Sequence, residues 1–164
     1  MSQAASIIPL MVMYGLGAWA MLPLGWLWSL LYIIYVLASN LLFMAVACPG
    51  CLNFGRRSCG SGYGLLAERL SRRRSGELFP SRFRACLPFL ALSWVIPVAG
   101  GALAIYQDIV NGRTAAADIV PVALFAAVAF GVLPFTSKRE CRSCAMRDRC
   151  PGASLTREGR DEAG

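Results

Sequence analysis

The sequence predicts an all-α membrane protein with four transmembrane helices arranged as two hairpins, and with a small Cys-rich cytoplasmic region that binds a metal. The chain is 57% hydrophobic with a mean hydropathy of +0.55, whereas soluble domains are about 45–50% apolar. Only 15% of its residues are charged, and none of these lies between Met1 and Ala47. Because a bilayer core about 30 Å thick needs about 20 apolar residues per helix, such a long uncharged run indicates insertion into a membrane.

The first apolar block, residues 1–47, predicts transmembrane hairpin 1. Its helices are expected over about residues 5–22 and 26–47, because the block is about twice as long as one crossing requires. Pro23 and Gly25 mark the turn, since both residue types interrupt helices. The block lacks a basic start and is much longer than the apolar part of a secretory signal. We therefore expect a membrane hairpin here rather than a cleaved leader.

The second apolar block, residues 87–135, predicts transmembrane hairpin 2. Its two helices are expected over about residues 87–106 and 119–135. A polar stretch that contains Asn111-Gly112, a common turn sequence, separates them. The predicted fold therefore has four crossings, an even number, which places both termini on the same side of the membrane.

The basic residues are distributed unevenly around these crossings. Fifteen of the sixteen Lys and Arg residues lie in the loop of residues 48–86 or in the tail of residues 136–164. Because loops rich in Lys and Arg stay in the cytoplasm, we expect a plasma or inner membrane protein with cytoplasmic termini and cytoplasmic Cys-rich regions. The end of the tail is small, polar and mixed in charge, which predicts disorder. Disulfides are rare in the cytoplasm, so metal binding or thiol chemistry explains the cysteines better.

Six of the seven cysteines form two tracts, and each tract begins with a CxxC knuckle. Two knuckles can complete a tetrahedral site of four thiolates, which is typical of structural Zn²⁺. The predicted zinc ligands are Cys48, Cys51, Cys141 and Cys144. Cys59 and Cys150, which follow the two knuckles, are additional or substitute ligands. An iron–sulfur cluster is the alternative cofactor, although the ferredoxin spacing of cysteines is absent. Cys86 stands alone and is expected to be a buried residue outside the site.

A short amphipathic helix is predicted within the loop, over residues 64–74. Its leucines can share one face, which is the pattern of a helix lying in the membrane interface. Its arginines are expected to contact anionic lipid headgroups. These arginines are Arg69, Arg72, Arg73 and Arg74. Nucleic acid is not an expected partner, because headgroups would occupy the basic cluster.

Small residues at helical spacing form two stripes in hairpin 2. Such stripes let transmembrane helices approach closely, either inside one protein or against another subunit. Gly100 and Ala104 form the first stripe, and Ala123, Ala127 and Gly131 form the second. The sequence leaves both uses open.

The predicted function is an accessory or scaffold subunit of a larger membrane complex, in which the thiolate site joins the two hairpins. The sequence contains no histidine, which removes the commonest general acid–base group. No acid or base lies deep in a predicted crossing, as one usually does in ion-coupled transporters. These features disfavour an enzyme without excluding one. The first alternative is an iron–sulfur subunit that passes electrons to a quinone or a partner, and the second is a membrane thiol–disulfide oxidoreductase.

Overall fold

The computed structural model describes residues 4–56, 59, 63–112, 116–135 and 150, and it is helical, with no strand in these ranges. The described residues form five α-helices. In chain order they are α1 (Ala4–Met21), α2 (Trp26–Val46), α3 (Tyr63–Leu70), α4 (Phe79–Val110) and α5 (Ala116–Ala126). A wider π-helical segment, Ala127–Val132, continues α5, and helical residues extend to Phe135. The predicted all-α fold is confirmed.

Within the described part of the chain, three helical segments are long and apolar enough to cross a membrane. They are Trp26–Gly50, Gly76–Val110 and Asp118–Phe135, and the shorter apolar segment Ile8–Leu24 accompanies them. At 1.5 Å per residue, this fourth segment is about 25 Å long, slightly less than a bilayer core. Many large apolar side chains on these segments are exposed. Exposure of this kind is expected where helices face lipid, so the fold is consistent with an integral membrane protein.

The turn between α1 and α2 contains the two residues that the sequence indicated. Leu22–Leu24 forms a 3-10 turn with Pro23 at its centre. Gly25 has a φ of 118°, a backbone conformation that glycine adopts without steric cost. The Gly25 N–H donates to the Leu22 carbonyl at 2.8 Å, which closes the turn. The bounds of α1 and α2 differ from the expected ones by one residue.

Helix α4 is much longer than the helix expected over residues 87–106. It begins at Phe79 and continues to Val110. Its early start is compatible with Pro80, because a proline in the first turn of a helix sacrifices no hydrogen bond. At the other end, Gly112 has a φ of 67° and terminates the helix. The charged residues near both ends belong to the helix rather than to the adjoining loops.

Helix α3 is shorter than the helix expected over residues 64–74. It ends at Leu70, and residues 71–75 are not helical. The Arg74 N–H donates to the Pro49 carbonyl at 2.9 Å, and this long-range bond replaces a bond along the helix. Three of the four predicted headgroup arginines therefore lie in a non-helical segment instead of on one helix face.

The chain divides into two compact units. One unit comprises residues 8–40 and 89–133 and is here called the helical unit. The other comprises residues 1–7, 41–88 and 134–164 and is here called the cysteine unit. The described cysteines all belong to the cysteine unit.

Apolar packing in the helical unit is supplemented by hydrogen bonds between helices. One core cluster contains the buried side chains of Met13, Phe125, Ala129 and Leu133. The Asn40 amide donates to the Tyr14 hydroxyl at 3.0 Å, which joins α2 to α1. The Tyr32 hydroxyl donates to the Ser93 carbonyl at 3.1 Å, which joins α2 to α4. Such bonds hold helices together where lipid offers polar groups no alternative partner.

Candidate functional site

The first CxxC knuckle is a tight turn directly after α2. Cys48–Gly50 forms one 3-10 turn, and the Cys51 N–H donates to the Cys48 carbonyl at 3.0 Å. Cys48 is buried, with 8% of its surface exposed, and it packs with Met44 and Phe54. Cys51 is half-buried. The two predicted ligands are therefore held in one hydrogen-bonded turn at the end of an apolar segment.

Contacts from other parts of the cysteine unit fix this turn in place. Pro49 and Gly50 are both buried, and Pro49 accepts the backbone bond from Arg74 described above. A Cβ atom at Gly50 would lie 3.2 Å from the Cβ of Phe79. The turn is thus packed against the start of α4 and the segment before it, which limits its movement.

Gly64 allows the loop that carries Cys59 to pack against α3. The Gly55 N–H donates to the Gly64 carbonyl at 3.0 Å. A Cβ atom at Gly64 would lie 2.6 Å from the Asn53 carbonyl oxygen and 2.9 Å from the Cβ of Cys59. Real Cβ contacts are essentially never this short. Only glycine fits at position 64, and its absence of a side chain lets Cys59 lie beside α3.

Cys48 shares the cysteine unit with the described residues Cys51, Cys59 and Cys86. All four residues are thiols rather than half-cystines. Cysteine sulfur is the reacting atom in both metal ligation and thiol exchange, so this unit carries the residue type that either chemistry needs.

Cys86, which was predicted to be a buried residue outside the site, is buried in the structure. It is 4% exposed and belongs to the cysteine unit, because α4 begins at Phe79 and not near residue 87. Phe79, Phe83 and Cys86 recur at helical spacing, which indicates a helix that begins well before residue 87. Arg82 and Arg84, which lie between them, lower the hydropathy of this stretch and make its helical pattern harder to recognise.

The second knuckle, Cys141 and Cys144, lies outside the residues that the structure describes. Cys150 is described and is a half-buried thiol. In the described ranges, no group of three or more His, Cys, Asp or Glu side chains is arranged to hold a metal ion. A four-thiolate site consequently requires ligands beyond these ranges.

The predicted headgroup arginines are all exposed. Arg69 lies on α3, and Arg72, Arg73 and Arg74 lie in the segment that follows it. Leu66 and Leu70 on α3 are each 50% exposed, while Ala67 is fully buried. The cysteine unit therefore presents apolar and basic side chains on the same short stretch of surface.

The two stripes of small residues have different surroundings. A Cβ atom at Gly100 would overlap the sulfur of Met21, and Ala104 is buried, so the first stripe packs inside the helical unit. Ala123, Ala127 and Gly131 are all exposed, and a Cβ atom at Gly131 would meet no atom within 4 Å. The second stripe is not covered by the described part of the chain.

Two further glycines mark close helix contacts that the stripe pattern did not identify. A Cβ atom at Gly101 would overlap the side chain of Val122, which joins α4 to α5. A Cβ atom at Gly17 would lie 2.5 Å from the Tyr32 hydroxyl, which joins α1 to α2. Both glycines are thus sites of helix contact in the helical unit.

Comparison with known proteins gives no guide to the site. No protein family model matches this chain, and neither a curated protein nor a solved structure shows significant similarity to it. The functional interpretation therefore depends on the residues and their surroundings alone.

Proposed function

We propose that this chain is a multi-pass membrane protein in which cysteine thiolates hold a structural Zn²⁺, and that it serves as an accessory or scaffold subunit of a larger membrane complex. The observation that carries the proposal is the CPGC turn. It places Cys48 and Cys51 in one hydrogen-bonded turn directly after α2, and Cys59 lies beside α3 in the same unit. A CxxC turn of this kind provides two of the four sulfur ligands of a structural zinc site.

The remaining ligands in this proposal come from the C-terminal tract. Cys141 and Cys144 supply the second pair, and Cys59 or Cys150 can replace a member of either pair. Zn²⁺ favours such a group because thiolates are its strongest protein ligands and the ion offsets their negative charge. A site with ligands after α2 and after α5 would join the ends of the two hairpins.

The scaffold role is supported by a stripe of small residues that one helical segment exposes. The stripe of Ala123, Ala127 and Gly131 is uncovered in the described part of the chain. Small residues on an exposed face permit close approach of a helix from another subunit. The arginines of the cysteine unit support a cytoplasmic orientation for it, since basic loops remain on that side, and they support contact with anionic lipids.

Thiol exchange is supported less well than metal binding. The attacking sulfur of an oxidoreductase must be accessible and ionised, whereas Cys48 is 8% exposed. An iron–sulfur cluster on the same thiols remains the main alternative, because it uses the same ligand type.

The metal content of the full chain tests this proposal. We expect about one zinc per chain after purification in mild detergent under reducing, anaerobic conditions, measured by elemental analysis. Cys48→Ser should lose the zinc, because one of four sulfur ligands is removed. Cys86→Ala is the matched control, since it removes another buried thiol of the same unit that is not a proposed ligand, and it should retain the metal.

Other results would change the assignment. Iron with acid-labile sulfide and broad visible absorption would replace zinc with an iron–sulfur cluster and favour electron transfer. A folded wild-type protein without any metal would contradict the proposal. A mixed disulfide trapped by Cys51→Ser in such a metal-free protein would then favour thiol exchange.

A further inference from the structure

Helix α4 continues through a proline in its interior. Pro97 is fully buried and lies near the middle of the helix, which covers Phe79–Val110. Because proline has no backbone N–H, the carbonyl four residues earlier loses the donor that a regular helix would supply. That carbonyl belongs to Ser93, which is also fully buried. A buried carbonyl in this position needs a donor from another part of the protein.

A tyrosine on the neighbouring helix α2 supplies that donor. The Tyr32 hydroxyl donates to the Ser93 carbonyl at 3.1 Å, and Tyr32 is only 2% exposed. Side chains of neighbouring helices can satisfy the backbone groups that a proline frees inside a membrane helix. Gly17 on α1 leaves room for this hydroxyl, because a Cβ atom there would lie 2.5 Å from it. Three helices thus meet at one hydrogen bond.

A second tyrosine of α2 makes a similar bond to a carbonyl that no proline has freed. The Tyr35 hydroxyl donates to the Phe89 carbonyl at 2.8 Å. The residue four places after Phe89 is Ser93, which has a backbone N–H of its own. Loss of the Tyr35 hydroxyl therefore leaves a carbonyl with its usual helical donor, whereas loss of the Tyr32 hydroxyl does not.

The part of α4 after Pro97 forms one wall of a groove in the helical unit. The groove has a volume of about 460 Å³. Gly100 and Gln107 belong to this wall, and Met21 and Leu24 line the opposite side. A Cβ atom at Gly100 would overlap the sulfur of Met21, so the two sides touch at this point. Movement of this part of α4 would change the width of the groove.

We propose that α4 has a hinge at Pro97, and that the Tyr32 hydroxyl is a latch that holds the hinge in the state in which Met21 packs on Gly100. The proline removes a hydrogen bond along the helix and weakens it at that point. Gly100 and Gly101 weaken the next turn further, because glycine is a poor helix former. Since α5 packs on α4 at Gly101, it moves with this part of α4. The inference does not depend on the metal.

Hydrogen–deuterium exchange of the full chain in detergent tests the latch. Tyr32→Phe removes the hydroxyl and keeps the ring. We expect it to speed amide exchange in residues 98–110 by about fivefold or more, because a buried carbonyl loses its partner and this segment opens more often. Exchange in residues 79–92 should stay unchanged. Tyr35→Phe is the matched control and should change the exchange of residues 98–110 by less than about twofold.

Pro97→Ala separates the latch from ordinary packing of the tyrosine. Alanine restores the backbone N–H that bonds to the Ser93 carbonyl in a regular helix. Adding Tyr32→Phe to Pro97→Ala should therefore change the exchange of residues 98–110 by less than about twofold. Any cavity that the proline leaves behind is present in both of these variants, so it does not affect the comparison.

The exchange rates decide between a latch and a simple packing contact. Unchanged exchange of residues 98–110 in Tyr32→Phe would overturn the proposal, and so would an acceleration spread equally over all helices. An effect of Tyr32→Phe that is equally large with and without Pro97→Ala would overturn it as well, because the hydroxyl would then act independently of the proline. If Tyr32→Phe does not fold, rescue of folding by Pro97→Ala would support the latch, and a double variant that also fails to fold would contradict it.

Discussion

Replacing Gly64 with alanine is expected to destabilise the protein by about 3 kcal/mol, the upper part of the usual range for inserting atoms into a packed site. The new Cβ would lie 2.6 Å from the Asn53 carbonyl oxygen and 2.7 Å from the Arg56 carbonyl oxygen. Both obstacles are backbone atoms, so the loop must move as a whole. That movement would separate Cys59 from α3. Thermal unfolding in detergent measures the loss of stability, and the rate of Cys59 alkylation, which should rise, measures the opening of the loop.

Gly131→Ala provides the control for the change at Gly64. It makes the same substitution where no atom lies within 4 Å of the new Cβ, and it should leave the stability of the protein nearly unchanged. Unfolding temperatures and alkylation rates that are the same in Gly64→Ala as in wild type would show that the loop does not pack against α3 as described.

Gly101→Ala is expected to destabilise the contact between α4 and α5 by about 2 kcal/mol, through the same overpacking effect. The new Cβ would overlap Val122, whose β-branched side chain has few rotamers to which it can move. The free energy of unfolding in mixed detergent with increasing dodecyl sulfate measures this loss. Substitution of Val122 with alanine removes the obstructing methyl groups, so we expect the double variant to recover most of the lost stability.

The two single variants and the double variant together form a double-mutant cycle. A favourable coupling between positions 101 and 122 of more than about 0.5 kcal/mol would confirm direct contact, since distant sites are additive within that amount. Strictly additive effects would contradict the packing of α4 on α5 described for the helical unit.

The hairpin that the sequence located best is the one with clear turn residues. Pro23 and Gly25 determine the turn between α1 and α2, because the backbone preferences of proline and glycine can be predicted from residue type alone. Helix α4 was predicted poorly at its start, because Arg82 and Arg84 look like loop residues when hydropathy is the main signal. In the structure they belong to a helix whose first turns lie in the cysteine unit. Hydropathy identifies the apolar part of a helix but not its polar extension.

The candidate site was also only partly accessible from sequence. The spacing of Cys48 and Cys51 indicated the knuckle, since the pair lies within one turn of chain. The burial of Cys86 was predicted from its residue type, whereas its position inside α4 was not, because the start of that helix at Phe79 is not apparent from hydropathy. The ligand role of Cys141 and Cys144 remains a prediction.

X-ray absorption spectroscopy at the zinc edge tests the central claim most directly, because it counts the sulfur atoms bound to the metal. The proposed site predicts four sulfurs at about 2.3 Å in the wild-type protein. In a variant with Cys141, Cys144 and Cys150 all changed to Ser, it predicts at most three sulfurs or loss of the metal. A shell of nitrogen or oxygen atoms in the wild-type protein, or an unchanged four-sulfur shell in that triple variant, would contradict a thiolate site shared between the two tracts.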